Sequence, residues 1–76
     1  MKELLEVLAK ALVDRPEDVM VAQVETEKSV HLQLVVAPED MGKVIGKQGK
    51  IANAIRTIVK AAAVKDGRRV HVDIDQ

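Results

Sequence analysis

From Met41 to Ala63 the apolar residues keep a helical spacing, and Gly46-Lys47-Gln48-Gly49 interrupts it once. Glycine accepts backbone conformations that a Cβ disfavours, so two glycines separated by two residues let the chain reverse within a few positions. This stretch therefore predicts two helices meeting at a tight loop, and the rest of the chain must pack against that pair. The first helix runs from Pro38 to Val44 or Ile45: proline suits the first helical position, and Glu39 and Asp40 suit the positive end of the helix dipole. The second aligns Ile51, Ala52, Ile55, Ile58, Val59 and Ala62 on one stripe and continues to about Ala63.

The flanking sequence supplies the partners. Leu4, Leu5, Val7, Leu8, Ala11 and Leu12 recur every three or four positions and predict a helix from about Lys2 to Val13, which Asp14-Arg15-Pro16 ends. VMVAQVE and SVHLQLVV, separated by the polar TEK, read as an antiparallel hairpin. In its second strand Val30, Leu32, Leu34 and Val36 alternate with Ser29, His31, Gln33 and Val35, so one face packs and the other meets water. After the turn at Val64-Lys65-Asp66-Gly67, Val70, Val72 and Ile74 alternate with His71, Asp73 and Asp75 in a last strand. The last two strands are joined by a helical crossover, which makes them parallel neighbours. The order α-β-β-α-α-β thus predicts an α+β fold, a three-stranded mixed sheet with three helices packed on one face. With 76 residues, 47% of them apolar, the chain suffices for a single domain spanning residues 1–76.

Composition narrows the function. There is no cysteine, hence neither a disulfide framework nor a thiolate metal site. Glu3, Glu6 and Lys10 interrupt the first helix and exclude a signal peptide's apolar region, and no apolar run reaches membrane-spanning length; a cytoplasmic protein is the expectation. The net charge is zero but unevenly placed. Residues 1–40 carry nine acids against four bases, whereas residues 41–65 carry Lys43, Lys47, Lys50, Arg56, Lys60 and Lys65 with no acid. One side of the molecule is therefore basic and suited to a polyanion.

The loop itself combines glycines that allow close backbone approach, a following helix start that favours anions, and lysines at 43, 47 and 50. Glycines at 46 and 49 are also explained by ending one helix and starting another. A nucleotide-binding P-loop is excluded because Gly42 would need glycine at 47 followed by lysine and Ser or Thr, and no Gly-x-Gly of a dinucleotide fingerprint is present.

VIGKQGKIANAI, residues 44–55, resembles the signature of KH domains, in which a Gly-x-x-Gly loop between two helices clamps about four nucleotides of single-stranded nucleic acid. The extra helix and strand before the core resemble the bacterial, type II arrangement, over nearly the whole chain. The resemblance implies a non-catalytic RNA-binding protein, a chaperone or post-transcriptional regulator, without cofactor or metal. It places Gly46, Lys47, Gln48 and Gly49 in the clamping loop, Lys43 and Lys50 beside it, Val44 and Ile45 along an apolar groove for bases, and Asn53 one turn beyond Lys50. It also implies a homodimer, or a heteromer with a larger KH-containing partner. The competing class is a protein-interaction adaptor acting mainly through such dimerisation.

With no Phe, Tyr or Trp, the chain lacks the usual stacking surfaces of single-strand binders, so one copy should bind weakly and with low selectivity. Arg56 and Lys60 read first as a solvated helix face, and Arg68 and Arg69 either reach nucleic acid or blunt a sheet edge. Gly42, within a helix, suggests close packing or close ligand approach. His31 and His71 fall on different strands with no cysteine or close second histidine, which favours solvated side chains over a metal site. Glu17-Asp18 and Glu39-Asp40 fit turn and helix-start roles, and Met20 and Met41 fit packing.

Overall fold

A computed structural model describes residues 1–76. It contains α1 (Lys2–Leu12), β1 (Met20–Glu25), β2 (Ser29–Val35), α2 (Met41–Ile45), α3 (Lys50–Lys65) and β3 (Arg69–Asp75), with 3-10 turns at Pro16–Asp18, Pro38–Asp40 and Lys47–Gly49. The strand order is β1-β2-β3. β1 and β2 pair antiparallel, with Val21 opposite Leu34 and Val24 opposite His31. β2 and β3 pair parallel, with His31 opposite His71 and Leu32 opposite Val72. The crossover through α2 and α3 produces this parallel pair, as the sequence order requires.

Alternation decides which face packs. Val30, Leu32 and Leu34 of β2 are buried, as are Val70 and Val72 of β3, while His31, Gln33, His71 and Asp73 are exposed. All three helices cover the apolar face, α1 over β1 and α3 over β3, with α2 against α3. Leu5 and Ala9 of α1 and Ile55, Val59 and Ala63 of α3 close one continuous core with the strands. No helix is long and apolar enough to cross a membrane.

The segment expected as one helix from Pro38 to Ile45 is divided: a 3-10 turn at Pro38–Asp40 leads into an α-helix of five residues. Asp40 stands at the division. Its carboxylate is completely buried and accepts hydrogen bonds from the Asp14 amide at 3.2 Å and the Arg15 amide at 3.1 Å. These two amides follow the end of α1, so one side chain fastens the exit of α1 to the entry of α2. Glu39 beside it accepts from Arg15 Nη1 at 2.7 Å.

Candidate nucleic-acid interface

The backbone of the loop is left-handed at three of four positions: Gly46 at φ 76°, Gln48 at φ 58° and Gly49 at φ 75°. Gly46 N–H donates to Gly42 O at 2.9 Å and Gly49 N–H to Gly46 O at 3.2 Å, which closes α2 and forms the turn into α3. The two glycines are not equivalent. A Cβ on Gly46 would lie 2.5 Å from Ile51 Cγ1, whereas one on Gly49 would meet nothing within 4 Å. Gly46 therefore lets the first turn of α3 press against the end of α2, whereas within the fold Gly49 is needed only for chain direction. Gly42 is corrected: a Cβ there also meets nothing within 4 Å, so close packing does not require it.

Lys47, Gln48, Lys50 and Asn53 are exposed around this turn, with Lys50 and Asn53 at three-residue spacing on α3. Ile45 is half-buried beneath it. Two residues expected at this surface lie elsewhere. Val44 is completely buried in the core, so it supports the loop from below and cannot border a groove. Lys43 points back toward the α1–β1 connection, where its ammonium pairs with Asp14 and, at 3.5 Å, with Asp40. The hydrogen bond to Asp14 raises the lysine above its ordinary value against the opposing effect of desolvation. Burial pushes Asp40 up, but the Asp14 and Arg15 amides and Lys43 outweigh it and hold the carboxyl below the usual range. Lys43 thus belongs to the fold's ionic fastening.

The ion pairs of the chain engage the N-terminal ammonium, Arg15, Lys43 and Arg68. Lys47, Lys50, Arg56, Lys60 and Arg69 remain unpaired with acids. Arg56 was expected to be a solvated position; it is half-buried instead, and its Nε donates to Val72 O of β3 at 3.2 Å. Two cavities follow this seam between α3 and the outer edge of β3, one of about 150 Å³ bordered by Arg56, Lys60 and Val72, the other of about 340 Å³ bordered by Lys60, Val64, Arg68 and Arg69. Arg68 also pairs with Glu25 across the sheet, so it stabilises the strand ends, while Arg69 is exposed. The four-residue spacing of Arg56 and Lys60 signals a shared helix face, but only the position of β3 shows that this face looks onto a strand edge.

The histidines also differ from expectation. Register brings His31 and His71 together on the open sheet face, with ring centroids 4.8 Å apart and planes inclined by 24°. Each has a close second histidine, and both remain exposed.

A family model described as KhpA/KhpB, KH domain matches residues 2–74. Proteins named RNA-binding protein KhpA from Clostridium perfringens and Clostridium acetobutylicum are each 65% identical over 74 residues, covering 97% of this chain and 99% of theirs. The protein of that name from Listeria monocytogenes is 49% identical over 74 residues, covering 97% of each chain. Among solved structures, Era in complex with MgGDPNP and nucleotides 1506–1542 of 16S ribosomal RNA superposes with a TM-score of 0.72 at 17% identity, covering 97% of this chain and 28% of that one. That likeness concerns the fold.

Proposed function

The chain belongs to the KhpA/KhpB family of KH domains and has the type II KH arrangement, and from that premise we propose that it is an RNA-binding module, not an enzyme, that holds single-stranded RNA at its Gly-Lys-Gln-Gly loop. The observation that carries this reading is the loop's composition in space: a left-handed turn at Gly46–Gly49, flanked by exposed lysines at 47 and 50 that no carboxylate neutralises. Backbone without Cβ atoms admits a sugar-phosphate chain closely, and unpaired ammonium groups draw it in with little competing internal charge. Gly46, Lys47, Gln48, Gly49 and Lys50 contact the backbone, Asn53 reaches from the next turn, and Ile45 offers the apolar border. Lys43 and Val44 act beneath the surface.

About four nucleotides span such a loop. The unpaired Arg56 and Lys60 continue the positive potential along α3 and the β3 edge. With ionic backbone contacts and few base contacts, one copy binds weakly and with low selectivity. Two copies, or one copy joined to a larger KH-containing partner of the KhpB or Jag kind, raise affinity through effective concentration. These properties suit a cytoplasmic RNA chaperone or post-transcriptional regulator made of a single KH domain.

The test is the double substitution Lys47→Asp, Gln48→Asp, read by RNA crosslinking in cells. Aspartate tolerates the left-handed conformation at position 48, so the turn is retained. Crosslinking should disappear while the unfolding midpoint and oligomeric state stay near those of the parent. Crosslinking at the parental level would overturn the loop's role.

A further inference from the structure

The chain has no Phe, Tyr or Trp, and its two histidines supply its only aromatic rings. Both lie on the open face of the sheet, opposite each other in the parallel pair of β2 and β3, and their rings stack. The stack runs across the strands. Val24 of β1 stands opposite His31 and closes one end. Nothing closes the other end, because β3 is the edge of the sheet. His71 borders both cavities along that edge, together with Lys60.

From this geometry we propose that the His31–His71 pair is a base-stacking shelf: a nucleobase of single-stranded RNA lying along the β3 edge stacks on the outer face of His71 as the third ring of the column. The proposal rests on the RNA-binding reading and extends that surface from the loop, over the strand edge, onto the open sheet face. Imidazole rings serve as stacking partners for unpaired bases, and His31 behind His71 holds the outer ring in place. The direction of approach follows from charge. Arg69 precedes His71 on the outward phase of β3, whereas Asp73 and Asp75 follow it, so phosphates enter from the Arg69 end and avoid the carboxylates.

The test uses an eight-nucleotide single-stranded RNA carrying 2-aminopurine, titrated at pH 8 over a series of salt concentrations. His71→Ala should weaken binding about fivefold, the low end of base–aromatic stacking, and relieve the 2-aminopurine quenching. The slope of log affinity against log salt should stay the same, because a stacking contact neutralises no phosphate. His71→Tyr should restore affinity and quenching. Parental affinity in His71→Ala overturns the proposal, and so does a loss accompanied by a shallower salt slope, which would mean a charge contact. The ring-proton shift of His71 in the unmodified protein gives an independent readout, and no shift on RNA addition counts against the shelf. The loop variant Lys47→Asp, Gln48→Asp separates the two readings: parental affinity there overturns the loop's role alone, and the His71 series still decides the shelf.

Discussion

Adding one methyl group at each of the three glycines between residues 42 and 49 should change stability in three different ways. Gly46 sits at φ 76°, ψ 174°, a region essentially closed to residues with a Cβ, at a strain of about 1–3 kcal/mol. Its new Cβ would also stand 2.5 Å from Ile51 Cγ1 and 2.9 Å from Ile51 Cβ. The second contact matters more, since that carbon is fixed to the α3 backbone and cannot rotate away; relieving it means shifting the helix, which costs about 1–3 kcal/mol more. Gly46→Ala should therefore lose about 2–6 kcal/mol, a large part of what a domain of this length holds. Gly49, at φ 75°, ψ 12° with open space around it, should lose only about 1–2 kcal/mol, the ordinary left-handed penalty. Gly42, exposed within α2 and free of neighbours, should become more stable by about 0.5–1 kcal/mol as alanine. Urea unfolding followed by far-ultraviolet circular dichroism measures all three, with the slope checked for constancy. The reasoning is refuted if Gly46→Ala costs no more than Gly49→Ala, or if Gly42→Ala destabilises.

Other outcomes follow from the same contacts. The Asp40 carboxyl is held below its ordinary value, so its contribution is complete above about pH 4 and lost as pH falls through the lower folded value; Asp40→Asn should be less stable at pH 7 and should flatten the urea midpoint's fall in that acid window. Val44→Ala should cost about 2 kcal/mol by removing two buried methyl groups, measured by the same unfolding curves, and wild-type stability would show that the side chain is not in the core. Lys50→Gln should make the salt slope of RNA binding shallower by about 0.7, the single-strand value per neutralised phosphate, while Lys43→Gln should leave that slope unchanged because its charge is already paired with Asp14 and Asp40.

Much of this fold is legible in the sequence because the signals are local. Period-two and period-3.6 patterns place every strand and the two long helices within a residue or two, though not the start of α2, and the helical crossover dictates the parallel pair. The glycine pair marks the loop for the same reason: backbone conformation is a property of a few adjacent residues. What escaped depends on partners distant in the chain. Lys43 looks like a free cation until the fold brings Asp14 to it from 29 residues away. Val44 and Ile45 are adjacent apolar residues on so short a helix that its phase is set by α3 and the sheet, and only then is Val44 the buried one. Arg56 required knowing that β3 is an edge strand. The histidine pair required the register of β2 against β3, which periodicity leaves open.

The five-residue length of α2 has a dynamic consequence. A helix of so few residues does not persist by its own hydrogen bonds, and α2 is held at its entry by Asp40 on the two amides after α1, along its side by Lys43 on Asp14, and from below by Val44. Fraying at the end of α1 withdraws the first two of these restraints together. The Gly46 amide, which closes α2 onto Gly42, should therefore exchange its hydrogen with solvent in step with the last turn of α1, so that motion near residue 14 sets how long the loop at residues 46–49 keeps its shape.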